Sequence, residues 1–127
     1  MILGVPSRPG LRIMVAAKPI DFRKGMDSLA ALVKQALASD PFTGDVFIFR
    51  SKRGDRLKVL YWDSDGLCLF YKRLEVGVFS MPTLGMSVGA HGLEIRVSDL
   101  TLMLEGIDLA SAKRRKRYQR PTASAGQ

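Results

Sequence analysis

The amino-acid sequence predicts the α+β class: an antiparallel sheet of about four to five strands with a central meander, two main helices packed against it, and a flexible basic C-terminal tail. Three features carry that prediction. The runs VFIFR, RLKVLYW and LCLFYKRL are rich in aromatic and branched residues and are parted by SKRGD and DSDG, short runs of turn formers. Leu29, Leu32, Val33, Ala36 and Leu37 recur at i, i+3, i+4, i+7 and i+8, the spacing of one helix face. Residues 113–120, KRRKRYQR, hold six positive charges and no negative one, a composition that cannot build a core.

Taken in chain order, LRIMVA (Leu11–Ala16) follows a Pro/Gly-rich start and reads as a short strand that turns at Lys18 and Pro19. The first helix is expected from about Ser28 to Ala38, with the Asp27 carboxylate as N-cap and with Pro41 and Gly44 barring its continuation. In the meander, pairing Trp62 with Leu67 sets Leu60 opposite Leu69 and Lys58 opposite Tyr71. Pairing Ser51 with Arg56 sets Phe47 opposite Leu60 and Phe49 opposite Lys58. One face then holds Phe47, Phe49, Leu60, Trp62, Leu67, Leu69 and Tyr71; the other holds Val46, Ile48, Leu57, Val59, Tyr61, Cys68 and Phe70. Both are apolar, so helices or a partner chain are expected to cover the second face too. Beyond Glu75 the Gly-rich stretch to Val97 fits one or two small edge strands. SDLTLMLEGID reads as the second helix, capped by Ser98, striped by Leu100, Met103 and Leu104, and ended by Gly106. One globular domain over residues 1–109 and a disordered basic tail over 110–127 are the expected organisation.

A chain of 127 residues buries enough surface to fold without disulfides or a structural metal. No run approaches the roughly 18 apolar residues of a membrane span, and MILGVPSRPG breaks where a signal peptide would carry its apolar core, so a cytoplasmic protein is expected. One cysteine, Cys68, and one histidine, His91, exclude an internal disulfide and an ordinary Cys/His zinc site. The net charge of +8 favours polyanionic partners, and most of the excess sits in the tail.

Asp63, Asp65 and Glu75 are near enough in sequence to raise a two-metal phosphoryl-transfer site. Asp63 and Asp65, however, flank a turn ending in Gly66, where aspartate bonds its own backbone and glycine supplies a positive φ; a hairpin explains them. Gly66 also stands at the wrong place for a calcium loop. Cys68, mid-strand on an apolar face, reads as an inert buried thiol, and His91 has no visible partner. No nucleophile, base and orienting acid can be assembled, and no catalytic residue, cofactor or metal is predicted. The basic residues give a sharper expectation. Lys52, Arg53 and Arg56 decorate the first turn, Lys58, Lys72 and Arg73 the strands beside it, and Arg23 and Lys24 precede a helix start whose free N–H groups attract phosphate. Tyr61, Trp62 and Tyr71 lie among them as stacking candidates. The structural alternative is that these charges solvate a sheet edge and the aromatics belong to the core.

These residues carry a resemblance. DFRKGMDSLAALV, then DPFTGDVFIFRSKRGDRLKVLYWDSDGLCLFYKRLEVGVFSMP, then LEGID resemble, in order and spacing from about residue 11 to 109, the short accessory protein called TnpB, the second open reading frame of the bacterial insertion-sequence family numbered sixty-six. The RNA-guided nuclease of the same name is a different, much longer protein. The resemblance implies a protein encoded beside a larger transposase and assisting transposition, with Asp21, Arg23, Lys24, Gly25, Arg50, Lys58, Trp62, Asp63, Gly66, Lys72, Arg73 and Glu75 as signature positions and none of them assigned to catalysis. Cys68 stands where the family usually has an aromatic or aliphatic residue. The expected function is thus a non-enzymatic accessory factor that binds DNA through Arg23, Lys24, Arg53, Arg56, Lys72 and Arg73 and through the tail residues Lys113, Arg114, Arg115, Lys116, Arg117 and Arg120. The transposase of the same element is the second expected partner, and homo-oligomerisation is left open. The rival expectation is a subunit that binds the transposase and never touches DNA.

Overall fold

The structure, a computed structural model, describes residues 10–80, 87–88, 92–105, 107–108 and 113–114. Strand β1 (Ile13–Ala16) leads through a loop to helix α1 (Met26–Ala36), then to β2 (Val46–Arg50), β3 (Arg56–Asp63) and β4 (Gly66–Arg73). After these come β5 (Ser87–Val88), β6 (Gly92–Ile95), helix α2 (Val97–Glu105), β7 (Ile107–Asp108) and β8 (Lys113–Arg114). The main sheet has the order β4-β3-β2-β1-β6-β5, and β7 and β8 form a separate ribbon. The α+β class and the meander are as the sequence predicts, and the register of every meander pair agrees, including Trp62 with Leu67 and Phe47 with Leu60. One pairing is of the other kind: β1 and β2 run parallel, because the chain crosses over through α1 before returning to the sheet. The sheet is therefore mixed, with all other pairs antiparallel.

Period-two alternation divides the strands between two cores. Phe47, Phe49 and Leu60 point to the side where Leu29, Val33 and Leu37 of the α1 segment are buried. Val46, Ile48, Leu57, Val59 and Tyr61 point to the other, against Leu100 and Met103 of α2 and Phe79 from the loop after β4. Both apolar faces of β2 and most of β3 are thus covered from within the chain, whereas the β4 side chains are only partly covered.

Several local expectations are corrected. Helix α1 begins two residues before the expected start: Gly25 occupies the N-cap position without a side-chain bond, and Asp27 lies in the first turn, where its charge favours the helix dipole. Its C-terminal end is turned by Ala38 at φ 51°, after which the Ser39 amide donates to the Val33 carbonyl at 3.1 Å. In α2 the capping is done by Asp99, not Ser98: its carboxylate accepts from the Arg96 amide at 3.1 Å, the reach-back half of a capping box. Gly106, the expected stop, lies outside the described residues. In the β3–β4 turn the positive φ falls on Ser64, at 52°, not on Gly66, and the Asp65 amide donates back to the Asp63 carbonyl. Asp45, buried at the start of β2, accepts from the Arg12 amide at 3.1 Å and its Nε at 3.3 Å, which ties the entries of β1 and β2 together.

Candidate nucleic-acid interface

The Asp21–Gly25 loop after β1 lies over one end of the sheet, and a single lysine holds it there. Lys58 of β3 projects from the face that carries Phe49, Leu60 and Tyr71 and is only 5% exposed. Its ammonium donates to the Phe22 carbonyl at 2.9 Å and the Lys24 carbonyl at 2.8 Å. It also lies 4.9 Å from the ring centre of Phe22 and 5.2 Å from that of Tyr71, two rings that meet edge to face at 5.6 Å. Burial pushes the Lys58 pKa down, and the charge of Asp21 partly opposes that shift. Carbonyls and aromatic faces together offer the ammonium what water would have given it.

Within the loop, Asp21 accepts from the Arg23 amide at 3.0 Å and from its guanidinium at 2.7 and 3.1 Å, while the Lys24 amide donates to the Asp21 carbonyl at 3.1 Å. The Arg23 hydrogen bonds hold the Asp21 carboxyl well below the usual carboxylate range. The Arg23 side chain remains 91% exposed. Its loop is therefore fixed while its charge faces solvent.

Around this loop the sheet gathers further cations. Ile20, Asp21 and Phe22 line a cleft of about 340 Å³ together with Ser51, Lys52, Arg53, Asp55 and Arg56. Arg56 pairs directly across the ladder with Arg73, on the same face as Lys58 and Tyr71. Arg73 is balanced by Glu75 at 3.1 Å, and the Asp55 carboxylate is engaged by the Ser51 hydroxyl at 3.2 Å. Lys24, Lys52, Arg53 and Arg56 make no ion pair among the described residues. Of the three stacking candidates, Tyr61 is buried and Trp62 packs edge-on against Phe42 at 5.5 Å; Tyr71, 47% exposed, stands open beside the arginines.

Arg53, Arg56 and Arg73 therefore lie at the end of the sheet over which the loop carrying Arg23 and Lys24 is held. Lys72 does not join them. It points to the α2 side and donates to the Leu104 carbonyl at 3.2 Å, where a cation suits the C-terminal end of a helix. Lys113 and Arg114 form β8, whose partner is β7, so the paired backbone runs past residue 109; Arg115, Lys116, Arg117 and Arg120 lie outside the described residues. By sequence alone Lys58 reads as one more surface cation and Phe22 carries no signal. The available signal was a lysine alternating with Leu60 and Trp62 and paired between Phe49 and Tyr71, a place where a charge must find partners.

Of the three carboxylates near in sequence, Asp63 and Asp65 flank the β3–β4 turn together and Glu75 is far from both. Asp63, the last residue of β3, pairs with Gly66 at the start of β4, while Glu75 lies beyond the far end of β4, about 23 Å of strand away. Among the described residues no three His, Cys, Asp or Glu side chains group as metal ligands, and no helix is long and apolar enough to cross a membrane. Cys68 is half-buried beside Tyr61. His91 lies outside the described residues.

Fold and surface together define a small α+β protein with a cationic face at one end of its sheet. The chain belongs to the IS66 Orf2-like family, whose model matches residues 11–114. Membership associates it with an accessory role in transposition. It is similar to two proteins of Sinorhizobium fredii (strain NBRC 101917 / NGR234). One, designated y4jC, is 48% identical over 120 residues, spanning 94% of this chain and 97% of the relative. The other, y4hO, is 38% identical over 104 residues, spanning 82% and 87%. No solved structure matches the chain.

Proposed function

We propose that the protein is a non-catalytic accessory factor in insertion-sequence transposition that holds DNA by its phosphates, assisting the transposase of the same element. The contacts come from Arg23, Lys24, Lys52, Arg53, Arg56 and Arg73 at the sheet end and from the basic run that begins at Lys113. The supporting observation is the Lys58 clamp, which fixes the Arg23–Lys24 loop beside the Lys52–Arg56 turn and so turns scattered charges into one surface. Phosphate contacts position a protein on DNA without reading sequence, and this patch offers cations without a helix or ribbon shaped for a groove.

The rival reading, a subunit that binds the transposase alone, was motivated by an apolar sheet face in need of a cover. Helices α1 and α2 lie over β2 and β3, so that motive is confined to the half-buried side chains of β4. A salt series on duplex binding separates the readings. Each neutralised phosphate contributes about −0.9 to the slope of log K against log salt, so a patch using four to six of them gives a slope of about −4 to −5. A slope near zero, or no binding at low salt, contradicts the proposal.

A further inference from the structure

Strand β4 is an edge of the sheet, paired on one side with β3 and with no other strand among the described residues. Its hydrogen-bond parity is fixed at both ends. The Leu74 amide donates to the Asp55 carbonyl, and Asp63 pairs with Gly66, so the even-numbered residues of β4 direct their amides and carbonyls to β3. Leu67, Leu69, Tyr71 and Arg73 direct theirs outward. The strand is eight residues long and contains no proline. Its apolar side chains on both faces are only partly covered: Leu67, Cys68, Leu69 and Phe70 are half-buried and Tyr71 is exposed. An edge of this length and character is a template for another strand.

We infer that the occupant is β4 of a second copy of this chain, paired antiparallel about a two-fold axis at Leu69. Of this register and its two neighbours that match outward amides to outward carbonyls, this one alone pairs apolar with apolar across the centre and opposite charges at the ends; Gly66 falls opposite Lys72, whose ammonium is turned to the Leu104 carbonyl. On the α1 face it sets Leu69 opposite Leu69 and Leu67 opposite Tyr71; on the α2 face it sets Cys68 opposite Phe70. At each end it brings the Asp65 carboxylate of one copy beside Arg73 of the other. Shifting the sum of paired numbers up by two sets Leu67 against Arg73 and Cys68 against Lys72. Shifting it down by two sets Asp65 against Tyr71 and Gly66 against Phe70. Cross-strand pairs of like polarity and opposite charge stabilise a ladder, so the register centred on Leu69 is the favoured one. The result is a continuous sheet through both copies, with both α1 faces on the same side and the two Arg73 residues about 26 Å apart along the strands.

Charge reversal tests this directly, because Asp65 in the β3–β4 turn and Arg73 at the far end of β4 lie about 26 Å apart within one chain and have no intramolecular reason to rescue one another. Sedimentation equilibrium of the full chain is expected to show a dimer. Arg73→Asp and Asp65→Arg are each expected to raise the dimer dissociation constant at least about tenfold, since each places like charges together at both ends of the pairing. The double variant is expected to restore it. Far-ultraviolet circular dichroism checks that each variant is folded, and Leu69→Pro, which removes an outward amide and no bond to β3, should also give a monomer. A monomeric wild type overturns the inference, as does a dimer indifferent to these changes or a folded double variant that stays monomeric.

Discussion

Lys58 is the residue on which the architecture of the cationic face turns, and Lys58→Met tests it. Methionine keeps most of the aliphatic stem between Phe22 and Tyr71 but removes the ammonium and its two bonds to the Phe22 and Lys24 carbonyls. Hydrogen bonds from a charged group contribute about 1.5–3 kcal/mol each. Against them stands the desolvation of an ammonium that is almost fully buried, the same effect that lowers its pKa, and the loop carbonyls can regain water once freed. The balance is a loss of about 2 kcal/mol, and about 4 kcal/mol for Lys58→Ala, which also empties the space between the rings. Urea unfolding should show a lower midpoint with an unchanged slope for Lys58→Met. The variant should also bind DNA more weakly at fixed salt, because the Arg23–Lys24 loop loses its anchor. A Lys58→Met protein as stable as the parent would refute the reasoning, since the ammonium would then cost as much to bury as its bonds return.

Three further outcomes follow from the backbone and from one tyrosine. Gly92 faces Ala16 across the β1–β6 ladder, and a Cβ there would stand 2.5 Å from the Val15 carbonyl oxygen; Gly92→Ala should lower stability by about 1–3 kcal/mol, read from thermal unfolding. Ala38 is in the left-handed region at φ 51°, so Ala38→Gly should raise stability by about 0.5–1 kcal/mol by the same measurement. Burial, and then the neighbouring Cys68 thiol, push the Tyr61 pKa above its ordinary 10.0. The folded state therefore holds the phenolic proton more tightly than the unfolded chain. The resulting stability is fully present below pH 10.0 and is lost as pH rises through the folded value; Tyr61→Phe should flatten that alkaline limb in urea titrations at successive pH values.

Much of the fold was legible because alternation and turn chemistry act locally. With SKRGD and DSDG as turns, the register of β2, β3 and β4 follows by counting, and every pair agrees. The parallel pairing of β1 with β2 was not legible in the same way. It depends on where the chain re-enters the sheet after α1, and the short run at Ile13–Ala16 carries no mark of direction. Capping was misread for a similar reason: Asp27 and Ser98 are plausible caps by residue type, but tertiary packing sets where each helix begins, and Asp99 was the carboxylate placed to reach back. At the cationic face, Arg23, Lys24, Arg53, Arg56 and Arg73 were visible as charges. Their convergence, and the separate task of Lys72 at the end of α2, required the third dimension.

On the proposed function the sheet end is itself a DNA handle, apart from the basic arm. Fluorescence anisotropy on duplex DNA across a salt series tests it with three proteins: the full chain, a truncation ending at Ala110, and the full chain with Lys24, Lys52, Arg53 and Arg56 changed to glutamine. Neutralising four phosphate contacts should make the slope of log K against log salt shallower by about 3–4 and weaken binding uniformly across sequences. The truncation should keep the sheet's share of the slope. Unaltered binding by the four-glutamine variant, with all binding lost in the truncation, would contradict the claim and leave the arm as the only DNA contact.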